Sequence, residues 1–293
     1  MPNWNDPEPV TELVIQATPH ADDPLSQCWT CPAPEDFDHP PPPAKMLLRY
    51  SQVDDSPLDF LPLGKVGLFI APGGTGKTQA LTQLAVAVAT GRPWLDRFHP
   101  QGGPGGVLLA LGEETPDEVQ RRLWKAHSPN NKLSLPPDAR AHYIANLRTL
   151  PLASVPVQFL DRNGDPSHIF NSLRRLLTDR TPPGGWRLII LDPASRFMGL
   201  DTETDNHAAT CFIQLAEQLT EVPGSPTVLL AHHTRKGSPS GNKDWARGSS
   251  ALTDGARWVA SLQPYPKPEE GKVDDAEYNG LLCLLYTSDA ADE

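Results

Sequence analysis

From about Leu61 onward, short and nearly continuous apolar runs are separated by longer amphipathic stretches. The runs KVGLFIA (65–71), GGVLLAL (105–111), HYIANL (142–147), WRLIILD (186–192), PTVLLAH (226–232) and RWVASL (257–262) are the predicted strands. Most lack the alternation of a half-exposed strand, which suits a sheet covered on both faces. The stretches 76–91, 116–127, 166–179 and 205–221 read as helices between them. Strands and helices in alternation predict an α/β fold with a mostly parallel central sheet and helices on both faces. No internal repeat is visible.

The first sixty residues follow a different pattern. They hold 12 of the 33 prolines, including HPPPPA at 39–44, and show little apolar periodicity. Such sequence does not bury a core, so residues 1–60 are expected to be a largely disordered Pro-rich N-terminal arm, with a short docking element at Leu13–Ile15 or Met46–Tyr50. Cys28 and Cys31 form one CxxC. A zinc site needs a second pair, and only His20 and His39 stand near enough in sequence to complete a set. Two reduced thiols are the simpler expectation. The last eleven residues, CLLYTSDAADE, match the one-frame translation of a nucleotide string that resembles a transposon-type sequencing adapter. Residues 283–293 are therefore expected to be adapter-derived, and 61–282 to be a C-terminally truncated domain.

Length and charge narrow the class. A chain of 293 residues suits one sizeable α/β domain with appendages, and two domains remain open. No run approaches the roughly 18 apolar residues of a membrane span, and the N-terminus lacks the order of a signal peptide, so a cytoplasmic protein is expected. The net charge of −11 is unevenly spread: residues 1–60 carry 11 acidic and 2 basic side chains. The last eleven residues carry 3 acidic and no basic ones, leaving 22 acidic and 23 basic for 61–282. The central domain is thus nearly neutral, and nucleic-acid binding stays open.

The chemistry begins at APGGTGKT, where a strand gives way to a helix. Around Ala71 and Pro72, then Gly73, Gly74, Thr75 and Gly76, backbone N–H groups can curl about phosphate oxygens at the helix's positive end. Lys77 would reach the β- and γ-phosphates, and Thr78 would place its hydroxyl on Mg²⁺. A nucleoside triphosphate is the expected ligand. Asp192 ends an apolar strand, where its carboxylate can hold the Mg²⁺ water shell opposite Thr78. Glu113 and Glu114 end the strand expected beside the P-loop strand, and a carboxylate there can orient and deprotonate the attacking water. Glu113 is preferred as the base; Thr115–Glu118 also forms an acceptable helix start, so one of the two glutamates is open to a capping role.

His232 and His233 close the fifth apolar run. Adjacent strand residues point to opposite faces, so the two do not easily converge on one metal ion, and Glu113 makes a second base redundant. The loop that follows carries Arg235, Lys236 and Lys243 among glycines and serines. Such a segment can track a nucleic-acid backbone, or it can be a solvated loop.

The segments APGGTGKT, LGEETPDEVQRRL, LIILDPASRFMGLDTETDN, LLAHHTRKG and RGSSALTDGARW stand in an order and spacing that resembles the RecA-like P-loop ATPases of the RepA group, hexameric replicative helicases of plasmids and phages. The resemblance covers about 60–265 and implies a RecA-like fold, ATP with Mg²⁺, a homo-oligomeric six-membered ring and single-stranded DNA. Primase or replication-initiation proteins would be further partners. It implies that Lys77 and Thr78 serve phosphate and metal, that Glu113 is the catalytic glutamate, and that Asp192 is the second metal-site carboxylate. Arg257, or alternatively Arg247, would reach into the neighbouring subunit's ATP site. His233 or His232 would sense the γ-phosphate and pass its presence to the loop of Thr234, Arg235, Lys236 and Lys243. A nucleotide-switched regulatory ATPase without unwinding is the alternative class, and a recombinase- or clock-type relative a third option.

Overall fold

The computed structural model describes residues 38–51, 57–127, 135–199, 205–233, 250–264 and 282–288, the last of these as backbone. The chain divides into two units, Met1–Pro43 and Ala44–Glu293. In chain order the second holds β1 (Met46–Ser51), β2 (Pro57–Pro62), β3 (Val66–Ala71), α1 (Lys77–Thr90), β4 (Phe98–Pro100), β5 (Gly106–Leu111), α2 (Pro116–His127) and α3 (Pro137–Asn146). There follow β6 (Leu147–Pro151), α4 (His168–Asp179), β7 (Trp186–Asp192), α5 (Asn206–Leu219), β8 (Thr227–His233), α6 (Ser250–Gly255), β9 (Trp258–Pro264) and β10 (Leu282–Ser288). None of the described helices is long and apolar enough to cross a membrane.

The main sheet has the order β10-β9-β3-β8-β7-β5-β6. Six strands are parallel, and β10 pairs antiparallel with β9 at one edge. Every residue of β3 and β5 is buried, which is why their sequences read as unbroken apolar runs. One face packs Phe69, Ala71, Leu109, Ile190, Leu229 and Ala231 against α1. The other packs Leu68, Ile70, Leu191 and Leu230 against side chains of α4, α5 and α6, among them Phe170, Phe212 and Leu252. The expected α/β layering, helices on both faces of a mostly parallel sheet, is what the chain adopts.

Local chemistry sets the helix ends. Ser167 accepts from the Phe170 N–H at 3.2 Å and Asp205 from the His207 N–H at 2.8 Å, so α4 and α5 begin on side-chain caps. In β3, a Cβ at Gly67 would lie 1.9 Å from the Trp258 indole, so glycine is what lets β9 bring its tryptophan onto the sheet.

Three expectations change. Of the segment HYIANL, read as a strand, the first five residues are the second half of α3; its last, Leu147, opens the strand LRTLP. Leu135, Ala139 and the half-buried Tyr143 recur at helical spacing and pack with Val86 of α1, leaving Ile144 73% exposed. The edge strand β6 carries Arg148 and Thr149, so no apolar run announces it. The strand that precedes Glu113, β5, does not lie beside β3, because β8 and β7 stand between them. The second unit starts at Ala44, inside the segment expected to be an arm. There β1, β2 and β4 form a small antiparallel sheet that buries Leu47, Leu48, Phe60 and Leu61. Met46–Tyr50 is thus a built element, whereas Leu13–Ile15, His20, Cys28 and Cys31 lie outside the described residues. Residues of the expected adapter-derived tail take part in β10.

Candidate active site

The carboxyl ends of β3, β5, β7 and β8 place the predicted chemistry at one edge of the sheet. From β3 the chain turns through Pro72–Gly76 into α1, with Gly74 at φ +82° and Gly76 at φ +84°. L-residues with side chains pay for that backbone, and glycine does not. A Cβ at Gly73, Gly74 or Gly76 would meet nothing within 4 Å, so the loop borders open space. Gly76 is the N-cap of α1 and supplies no side-chain cap, which leaves the helix's first N–H groups available to an anion.

Lys77 is 3% exposed and Asp192 2%. The Lys77 Nζ donates to Asp192 Oδ1 in a buried ion pair that links α1 to the end of β7. The other oxygen, Asp192 Oδ2, is buried without a hydrogen-bond partner. A buried carboxylate oxygen left in that state points to a missing donor or cation. Thr78 on the first turn of α1 is half-buried, and a hydroxyl with a carboxylate is an oxygen donor set of the kind Mg²⁺ takes. The residues therefore fit a nucleotide with its magnesium ion. Among the described residues, no cluster of three or more His, Cys, Asp or Glu side chains forms a separate metal site.

The two glutamates part company. Gly112 donates its N–H to the Asp192 carbonyl at 2.8 Å, drawing the ends of β5 and β7 together. Next in the turn, Glu113 is exposed. Glu114 is buried, and its Oε1 lies 2.8 Å from Arg122 Nη2. Burial pushes the Glu114 carboxyl above the ordinary glutamate range; Arg122 opposes this, while Asp192 and Glu113 add to it. Capping falls to neither of them. Glu118 Oε2 accepts from the Thr115 N–H at 2.7 Å and from its hydroxyl at 2.8 Å, a capping arrangement at the start of α2 that lowers the Glu118 pKa. Nothing in the local pattern marks Arg122, eight residues along the chain from its partner.

The histidines diverge as strand geometry requires. His233 pairs in register with Ala71, and His232 with Ile70. Alternation along β8 continues from Leu229 and Ala231 to put His233 on the P-loop face, where it is exposed. His232 is buried on the opposite face, abreast of Ser261 through Ile70.

Arg257 is exposed, and its backbone N–H donates to the Val66 carbonyl at 3.0 Å. Val66 opens β3 and the P-loop follows its far end, roughly 16 Å away at about 3.3 Å per residue. Arg257 thus stands at the sheet edge remote from its own P-loop. Arg235, Lys236, Lys243 and Arg247 lie outside the described residues.

A P-loop on β3, an aspartate ending β7 and a third parallel strand between them are the parts of a nucleotide-hydrolysing AAA domain, and the AAA domain family matches residues 33–239. This chain belongs to the AAA domain family. Membership carries nucleotide binding and ATPase chemistry for the domain as a class. Among solved structures, the AAA domain here is similar to the "ATPase Domain of G40P", at 14% sequence identity and a TM-score of 0.48, covering 76% of this chain and 80% of that one.

Proposed function

We propose that this chain is an ATP-hydrolysing RecA-like motor, a RepA-type helicase of plasmid or phage replication that works in the cytoplasm as a six-membered ring on single-stranded DNA. Primase or replication-initiation proteins are its further partners in that setting. The observation that carries the ATPase part is the convergence of Lys77, Asp192 with its unpartnered Oδ2, the Glu113–Glu114 turn and His233 at one sheet edge, beside an open glycine loop.

In this reading the N–H groups from Gly73 to Thr78 hold the phosphates, and Lys77 exchanges its Asp192 partner for the β- and γ-phosphate oxygens. Thr78 and Asp192 hold magnesium, which supplies charge neutralisation on the phosphates. Glu113, exposed at the mouth of the site, accepts a hydrogen bond from the attacking water and takes its proton. His233 lies where it can sense the γ-phosphate, at the root of the segment bearing Arg235, Lys236 and Lys243, the proposed DNA contacts. Arg257, remote from its own P-loop, supports a role only toward the nucleotide of another copy, where it would stabilise charge developing in transfer. Arg247 is the alternative finger.

Steady-state ATP turnover with and without single-stranded DNA tests the proposal. Strong stimulation supports the motor. ATP turnover without stimulation supports the nucleotide-switched regulatory ATPase instead.

A further inference from the structure

The geometry points to Arg122 as a positioning residue for ATP hydrolysis: it clamps Glu114 to α2, and so fixes the short turn that presents Glu113 to the nucleotide. This rests on the assignment of Glu113 as the base.

The ion pair itself makes little sense as a stability device. Arg122 is about a third exposed at its side chain, so solvent screens its attraction, while Glu114 is buried and pays desolvation. A buried carboxylate that faces Asp192 from β7 and Glu113 from its own turn is held at a cost, with Arg122 from α2 as the cation that acts on it. Costly charge arrangements of this kind concentrate at reacting sites.

The turn from β5 to α2 has four residues, and its ends are pinned. Gly112 is bonded to the Asp192 carbonyl, and Thr115 is bonded twice to Glu118. Between them the Glu114 carbonyl accepts from the Ala153 N–H at 3.2 Å, and the Glu114 side chain is tied to Arg122. With its neighbours fixed, Glu113 inherits its position from the turn. A displacement of about 1 Å at a reacting group costs on the order of 100-fold in rate, so a clamp on the residue next to the base matters. A second link runs from the phosphate side. Gln79, two residues after Lys77 on α1, donates from Nε2 to the Arg122 carbonyl at 3.4 Å. The helix that holds phosphate and the helix that holds the glutamate turn therefore meet at Arg122.

The test compares Arg122→Ala, Arg122→Lys, Glu114→Gln and the Arg122→Ala/Glu114→Gln double variant, reading kcat and ATP-analogue affinity separately. We expect kcat to fall about 10- to 100-fold in each alanine or glutamine variant, with affinity within about threefold. The double variant should be no worse than either single, and Arg122→Lys should recover part of the loss. Additive losses, affinity falling in step with kcat, or an unchanged kcat in folded protein overturns the inference. So does a Glu114→Gln variant as inactive as Glu113→Gln, which would make Glu114 the base. Should Arg122→Ala not fold, Arg122→Gln carries the same comparison. Wild-type protein without ATP turnover would overturn the ATPase assignment itself, which is a different result from an active wild type indifferent to Arg122.

Discussion

Lys77 and Asp192 neutralise one another in the interior, and each is also the residue that a nucleotide and its magnesium would claim. The pair holds α1 against β7 while leaving Asp192 Oδ2 unsatisfied. Binding therefore replaces one set of buried electrostatic contacts with another, and removing either partner does more than remove a ligand.

Lys77→Met should abolish nucleotide binding and also lower the stability of nucleotide-free protein, by about 3–5 kcal/mol for a broken buried pair. Lys77→Met/Asp192→Leu should regain most of that stability, because no buried charge is then stranded, yet still bind no nucleotide. Urea denaturation and nucleotide titration on the same samples check both halves. A double variant less stable than Lys77→Met would contradict the account.

Glu113→Gln should lower kcat by about 100- to 10,000-fold, the range for loss of a general base, with nucleotide affinity retained. Single-turnover kinetics with a fluorescent ATP analogue measure the two quantities independently.

Arg257→Ala should leave ATP binding intact and remove hydrolysis, by about 1,000-fold or more if it acts as an arginine finger. Because Arg257 lies at the sheet edge away from its own P-loop, mixing this variant with Lys77→Met should restore some activity at mixed interfaces. No recovery in demonstrated hetero-oligomers would count against action between subunits.

The raised pKa of Glu114 carries a pH signature. A carboxyl whose folded pKa lies above its unfolded value contributes stability that is full below the unfolded pKa and is lost as pH rises through the folded one. Glu114→Gln removes that dependence. Over the window just above the ordinary glutamate range, wild-type stability should therefore decline with rising pH more steeply than that of the variant. Denaturation midpoints at a series of pH values measure it, and parallel curves would argue against a burial-raised Glu114.

His233→Ala should reduce the response of ATP turnover to DNA more than it reduces ATP affinity, since the side chain shares the P-loop face and leads into the basic segment. Equal loss of both would mark His233 as structural.

What the linear order of residues carried was whatever depends on neighbours along the chain. The P-loop was legible because phosphate binding by backbone N–H groups needs glycines, Lys77 and Thr78 within a few consecutive positions. Strands β3, β5, β7, β8 and β9 were legible because a sheet covered on both faces demands unbroken apolar runs. The opposed histidines followed from strand alternation alone, and register with Ala71 then chose His233 over His232 for the P-loop face.

Tertiary structure decided what depends on elements distant in sequence. It separated β5 from β3 by two strands, since strand order is set by crossover packing and leaves no local trace. It turned HYIAN into helix, because burial against α1 rewards the spacing of Leu135, Ala139 and Tyr143 over the run's average hydrophobicity. It also distinguished the adjacent glutamates. Sequence preferred Glu113 without separating the two environments; only the packing of α2 against α1 and β6 brings Arg122 to one of them, burying Glu114 and leaving Glu113 exposed.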